Sequence, residues 1–264
     1  FIRMLYKYSL MILERILVNH HKEHAIFSYN LVTANSKYTQ KYIRKYWGIK
    51  STILYPVSED MLSKEATKKK IILNVGRFFG LEEAAHHKRQ DILVDTFIKM
   101  RGLHDKGWQL HLVGSAKDEI STQKYIIDIL KKTKDYPVFV HTNYSFAEIK
   151  KLYNAASIYW HATGYGSNPR LFPEKQEHFG ITTIEAMSAK AVPVVINTAG
   201  QAEIVTNGSN GYLWGTKKDL AAQTLVAIQT MDKISLSARQ TSLKFSKNAF
   251  SSNLMALMET LGRE

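Results

Sequence analysis

The sequence predicts an α/β protein, with a parallel β-sheet flanked by helices. Three observations lead there. Between residues 71 and 214, short apolar runs alternate with segments of helical period. The runs at 71–75 (IILNV) and 192–196 (VPVVI) are almost continuously apolar, the pattern of strands covered on both faces. Two of the strand-like runs end in glycine, at Gly76 and Gly114. A composition 45% hydrophobic and 11% aromatic supplies enough apolar side chain for a sizeable core in 264 residues.

Residues 2–19 have a helical period. Leu5, Tyr8, Ile12 and Ile16 share one side, with Arg3, Lys7 and Glu14 opposite. A helix with a core face and a solvated face is the plain reading; a polar face resting on an anionic membrane surface is the sharper one. Leu31 to Ala34 reads as a strand. Asn35 or Ser36 caps a helix over 38–47 that Gly48 ends, and 52–55 is a strand stopped by Pro56. The polar stretch 57–70 reads as a linker whose terminal Lys68-Lys69-Lys70 is solvated. Strand 71–75 then leads to Gly76-Arg77, and Lys88 opens the helix 90–100. Strand 109–113, helix 121–133 and strand 138–141 follow. Ser145-Phe146-Ala147-Glu148 reads as a capping box for a helix ending near Asn154. Helical spacing continues over 217–231, 234–246 and about 248–262.

The most informative stretch runs from Ser157 to Glu203. A strand over 157–160 ends at His161. After a loop rich in Gly, Asn and Pro come Glu177-His178-Phe179-Gly180 and a helix over 181–190. A helix starting at Ile181 leaves unpaired N–H groups beside Phe179 and Gly180, a partial positive charge suited to an anion. Gly180 has no Cβ to hold a ligand off. Glu177 lies just outside this helix end and Glu185 about one turn within it, so two carboxylates flank an anion site. Acidic residues so placed accept hydrogen bonds from ribose or sugar hydroxyls. The bland alternative makes Thr182 to Glu185 a capping box, with Glu185 serving only the backbone.

The spacing Glu177-(seven residues)-Glu185 with HFG inside it, followed by EAMSAKAVPVVINTAGQAEIV and NGSNGYLW, resembles the nucleotide-sugar-binding half of family-4 retaining glycosyltransferases. The resemblance runs from about Ala34 to the C-terminus and is densest at 71–90 and 157–214. It implies the GT-B fold, two Rossmann-like domains facing across a cleft. Residues 1–57 would be the remnant of the N-terminal, acceptor-side domain. Residues 58–247 would form the C-terminal nucleotide-sugar-binding domain, and 248–264 a helix crossing back. A chain that begins with Phe reads as a fragment, expected to bind donor without turnover of its own and to be poorly covered at Phe250, Leu254, Leu257 and Met258. By the same resemblance, Gly76-Arg77 and Lys88, the first basic residue of HHKRQ, grip the donor diphosphate. Glu185 holds the ribose, Glu177 orients the donor sugar, and His161 reaches that sugar. Phe179, Gly180 and Ile181 present the helix end, and His141-Thr142-Asn143 and Gly200 border the base and the sugar. The wording EHFGITTIEAMSA resembles members using GDP-mannose, with other hexoses on UDP as the alternative donors. The expected acceptor is a glycan or lipid-linked sugar.

Composition narrows the rest. With no cysteine there are no disulfides and no thiolate metal site, which fits a cytoplasmic protein, with association at the inner membrane face expected through the polar face of 2–19. No cofactor and no metal are expected, and no run of 18 apolar residues suggests a membrane span. The net charge is +13, and residues 1–70 carry 13 Lys and Arg against 5 Asp and Glu, which favours anionic partners. Two other readings stay open: a glycoside hydrolase using Glu177 and Glu185 as acid and base, and a non-enzymatic basic module for membrane or nucleic acid. No nucleic-acid-binding motif supports the last, and no nucleic-acid partner is expected.

Overall fold

The computed structural model describes residues 28–64, 66–80 and 87–261. The chain divides into two compact units, one of residues 56–251 and a smaller one of residues 1–55 with 252–264. The helix expected over 2–19 lies outside the described residues.

In the smaller unit, β1 (Thr33–Ala34) pairs in parallel with β2 (Thr52–Ile53) across α1 (Lys37–Trp47). Ser36 caps α1, its hydroxyl accepting from the Thr39 N–H at 3.0 Å. Gly48 ends it in the left-handed region at φ 69°.

The larger unit is a six-stranded parallel sheet. Its strands are β3 (Lys69–Val75), β4 (Gln109–Gly114), β5 (Val138–Thr142), β6 (Ala156–His161), β7 (Val192–Ile196) and β8 (Tyr212–Trp214). Their order is β5-β4-β3-β6-β7-β8, every neighbouring pair parallel. From β3 the chain winds outward through β4 and β5, then returns to lay β6 on the other side of β3. The order therefore reverses between β3 and β6. The crevice beyond the carboxyl ends of such a pair is where ligands bind in open parallel sheets.

Connecting helices cover the sheet: α2 (Gln90–Lys99), α3 (Arg101–His104), α4 (Ile120–Thr133), α5 (Phe146–Ala155), α6 (Ile181–Ser188), α7 (Ala199–Ile204) and α8 (Lys217–Ser242). Ser145 and Glu148 form the expected reciprocal cap on α5. Ile72, Leu110, Leu112, Ile158, Val192 and Val194 are fully buried between the layers. The Trp160 indole donates to Thr224 Oγ1 at 2.9 Å, so its one polar atom is satisfied inside the core. Asn74, the one polar interruption in β3, donates from Nδ2 to the Trp160 carbonyl at 2.9 Å and ties β3 to β6 at the reversal.

Two expectations need correction. Residues 217–231 and 234–246 form a single 26-residue helix followed by the 3-10 turn Leu243–Phe245. No Gly or Pro interrupts residues 217–242, and Leu220, Ala227, Ile234 and Ala238 keep one buried side throughout. The stretch 57–70 is exposed at many positions, Lys69 and Lys70 included, but it is anchored rather than a free linker. Met61 is 1% exposed and donates its N–H to Ser188, and Arg239 grips Asp60 through both guanidinium N–H groups at 2.6 and 2.7 Å. The Lys68 ammonium donates to the carbonyls of Ala156 and Tyr153 at 2.7 and 3.3 Å. The final helix, α9 (Lys247–Leu261), buries none of its residues, with Leu254 and Met258 exposed. No described helix is long and apolar enough to cross a membrane.

His111 on β4 and His141 on β5 stack with ring centres 5.1 Å apart and share a 3.0 Å hydrogen bond. Burial, then the neighbouring His141, lowers the His111 pKa to about 4. Burial also lowers His141. Groups that resist protonation in the folded state bind protons more readily once unfolded. Their stabilisation is therefore complete above the unfolded value of about 6.5 and declines as pH falls toward the folded values. Denaturant midpoints are expected to fall between pH 7 and about 4.5, with a shallower fall in His111→Gln. Identical slopes in both proteins would contradict this.

Candidate active site

Five segments meet at the reversal between β3 and β6. Gly76 and Arg77 follow β3, Lys88 precedes α2, His161 ends β6, Glu177 to Gly180 lead into α6, and Gly200 and Gln201 lie in α7.

Gly76 is required by a close approach. A Cβ there would lie 2.9 Å from Lys88 Cγ, so the lysine stem crosses directly over the glycine. A Cβ at Gly114 would lie 2.1 Å from the Gly76 carbonyl oxygen, so the ends of β3 and β4 press together with no side chain between them. Gln90, the first residue of α2, donates to the Gly76 and Arg77 carbonyls at 3.1 and 3.3 Å and fixes this loop from below. Arg77 is exposed, its guanidinium 5.3 Å from the Phe79 ring centre.

Lys88 reaches Glu177, Nζ to Oε2 at 2.6 Å. Both side chains are less than one-fifth exposed. The adjacent Arg89 is committed elsewhere, bidentate to Asp91 and donating to the Tyr165 carbonyl. Of the two basic neighbours in HHKRQ, the first therefore faces the crevice. His161, 2% exposed, places Nε2 3.1 Å from Glu177 Oε2 and 3.1 Å from Thr163 Oγ1. Burial favours its neutral form against the pull of Glu177. With Nε2–H donating to the carboxylate, Nδ1 is left buried with no partner among the described residues.

Burial pushes the Glu177 carboxyl up, but the His161 hydrogen bond and the Lys88 charge outweigh it and hold the carboxyl well below the usual range. Glu177 is thus a fixed carboxylate at physiological pH. Lys88 spends one of its three donors on it and keeps two for another acceptor.

The α6 N-terminus starts on Gly180, at φ 120° and ψ 54°, with no side-chain cap. The capping-box alternative for Thr182 and Glu185 is therefore not what the chain adopts. A Cβ at Gly180 would sit 2.3 Å from Gln201 Nε2, and one at Gly200 would sit 2.4 Å from the Phe179 carbonyl oxygen. The two glycines let α7 buttress the turn that begins α6. Gln201 accepts from Thr183 at 2.8 Å. Gln176, fully buried, donates to Ser167 and accepts from Thr198, which sets the loop before Glu177. Ile181 is 42% exposed and Phe179 buried.

Glu185 is oriented by Tyr153, whose hydroxyl donates to Oε2 at 2.8 Å. Burial raises the Glu185 pKa, partly offset by that hydrogen bond, and the charge of Glu59 adds to the rise. The residues expected to border the base are already engaged: His141 bonds to His111, and Asn143 Oδ1 accepts from the Ala116 N–H. Gln90, Thr163, Gln176, Gln201 and Tyr153 carry no motif in the sequence. The signal available was polarity where core residues are expected, and single Gln or Tyr residues do not announce their partners. No group of three or more His, Cys, Asp or Glu that could hold a metal ion occurs among the described residues.

Comparison with known proteins agrees with this architecture. The family model described as glycosyl transferases group 1 matches residues 59–249, and the chain belongs to that family. A Dictyostelium discoideum protein named GDP-Man:Man(3)GlcNAc(2)-PP-Dol alpha-1,2-mannosyltransferase is 25% identical over 252 residues, covering 88% of this chain and 47% of that protein. The sucrose-phosphate synthase of Thermosynechococcus elongatus superposes with a TM-score of 0.71 at 17% identity, covering 93% of this chain and 61% of that one. The pneumococcal O-GlcNAc transferase GtfA, solved with UDP and GlcNAc, gives 0.68 at 15% identity, covering 92% and 47%. The fold is that of the GT-B glycosyltransferases. The chain spans about half the length of the curated relative it matches.

Removing the cation from Glu177 strands a poorly hydrated charge. Lys88→Met is expected to cost about 3 kcal/mol, and adding Glu177→Gln should recover part of it. A double-mutant cycle in denaturant should therefore show coupling of about 1–3 kcal/mol, whereas additivity within about 0.5 kcal/mol would contradict the pairing.

Proposed function

We propose that this chain is the donor-binding half of a retaining glycosyltransferase of family 4. It would take a hexose from a nucleoside-diphosphate sugar to a glycan or lipid-linked acceptor. The observation that carries the reading is the grouping of Lys88, Glu177 and the Gly180 helix start at the sheet's reversal, with Arg77 exposed beside it. Two free donors on Lys88, the Arg77 guanidinium and the first N–H groups of α6 are the groups a diphosphate needs.

In the transfer, the bond from the anomeric carbon to the diphosphate oxygen breaks. Positive charge develops on the sugar ring, and negative charge on the departing diphosphate. Arg77, Lys88 and the α6 N-terminus stabilise that departing charge without needing to reorganise. The Glu177 carboxylate accepts hydrogen bonds from sugar hydroxyls, and Glu185 accepts them from the ribose. An acceptor hydroxyl forms the new bond to the anomeric carbon and gives up its proton to the departing diphosphate. The reading assigns diphosphate charge to these side chains rather than to a metal ion. Retention rests on the resemblance to family 4. A guanine base and mannose are proposed because the Dictyostelium relative is named for GDP-Man; UDP, present with the pneumococcal enzyme, is the competing donor base.

One observation favours a hydrolase reading: Glu177 and Glu185 are displaced in opposite directions, as an acid and a base would be. A neutral glycoside, however, gives the cations at Lys88 and Arg77 nothing to neutralise. Release of aryl alcohol from aryl glycosides without nucleotide would decide for it.

Thermal-shift titration with GDP, UDP, ADP and CDP tests the main reading. One diphosphate should stabilise the chain selectively, by about 2.7 kcal/mol when present at 100 times its dissociation constant. Lys88→Ala and Glu185→Ala, each compared with its own ligand-free baseline, should lose most of that response. Equal responses to all four, or a response intact in both variants, would count against the site.

A further inference from the structure

A second pocket lies in the larger unit, at the opposite end of the strands. It encloses about 420 Å³, within the range of small-molecule sites. Its lining comes from the amino ends of the strands and from α8. Lys68, Lys69 and Lys70 lead into β3, Lys106 and Trp108 precede β4, and Lys190 precedes β7. Gly76 and Lys88 lie beyond the other end of β3, about 20 Å away along a seven-residue strand.

Five lysines converge there against one carboxylate, Asp232. None of the five forms an ion pair with a described residue. Two are instead positioned by the backbone. Lys68 donates to the Ala156 and Tyr153 carbonyls, and Lys70 donates to the Lys106 carbonyl at 2.9 Å. Each retains hydrogen-bond donors beyond those contacts. Burial, then the charge of Lys190, lowers the Lys68 pKa to about 8, so the two ammonium groups lie close enough to repel each other. Lys190 itself stands on a left-handed turn at φ 64°, so its position is set by the backbone. From α8, Ile228 and Met231 add an apolar wall. Converging ammonium groups call for a compact anion of more than one charge, and an adjoining apolar wall accommodates the group that carries it. Concavity and the Asp232 carboxylate argue against a polynucleotide backbone, which needs an open basic stripe.

We propose that this pocket binds a phosphorylated ligand, its phosphate or diphosphate group held by Lys68, Lys69, Lys106 and Lys190. The phosphate belongs either to a soluble molecule or to a lipid headgroup. This site is separate from the donor site and does not rest on the reading given for it.

The test uses inorganic pyrophosphate as probe, titrated calorimetrically into the full chain and three variants. Lys69→Gln/Lys190→Gln removes two charges from the pocket, and Lys88→Ala removes one from the donor end. The double variant should bind about tenfold more weakly, and Lys88→Ala should retain binding. Lys106→Gln, at an exposed position, should weaken binding by a smaller factor and guards against loss through misfolding. Unchanged affinity in both pocket variants, or loss confined to Lys88→Ala, would overturn the proposal. Pelleting with phosphatidic acid vesicles but not with phosphatidylcholine vesicles, lost in the double variant, would identify the source as a lipid headgroup. Pyrophosphate binding without such pelleting would identify it as a soluble phosphorylated molecule.

Discussion

The Glu177 carboxylate is held by two groups from different strand ends. Lys88 comes from the loop after β3, and His161 from the last position of β6. Those two strands are neighbours only because the winding order reverses between them. The reversal opens a crevice, and the carboxylate bridges it. A buried carboxylate without partners would be protonated or would destabilise the fold. Here the histidine hydrogen bond and the lysine charge keep it ionised despite burial. The same contacts fix the Lys88 ammonium, whose stem crosses over Gly76, beside the segment that leads into α6. Loop geometry, side-chain charge and helix position thus depend on one another through a single oxygen, Oε2.

Glycines make that convergence possible in a way side chains could not. At Gly76, Gly114, Gly180 and Gly200 an added Cβ would come within 3 Å of a neighbouring residue's atoms. Only at Gly180 does the backbone also demand it, with φ 120°. The other three are needed because segments must touch at the backbone. Around them Gln90 and Gln176 act as spacers with two-ended hydrogen bonding, while Gln201 accepts from Thr183 through Oε1 and leaves its buried Nε2 without a hydrogen-bond partner among the described residues. The candidate site is thus backed by a polar shell that is already satisfied in large part, a condition for holding charges in place against a ligand.

Much of this was legible in the sequence. Continuous apolar runs located the central strands, Ser145 and Glu148 announced their cap, and the Glu177-to-Glu185 spacing located the helix start. What stayed hidden has physical reasons. Pairing order is long-range, so nothing local says that β6 returns to β3. The fusion of two expected helices into α8 reflects a buried side that Asp232 and Lys233 do not interrupt. The lysine run at 68–70 looks like solvated linker by composition, yet tertiary contacts with Tyr153 and Ala156 hold Lys68 against the sheet. Roles for Gln90 and Tyr153 depend on partners 14 and 32 positions away, beyond any motif.

The most direct test of the central claim is hydrogen–deuterium exchange with and without a saturating nucleoside diphosphate. The crevice account predicts added protection at residues 76–77, 88–90 and 177–185, the segments joined through Glu177. Protection confined to other segments, or none at concentrations that raise the melting temperature, would show that the diphosphate binds elsewhere and would contradict it.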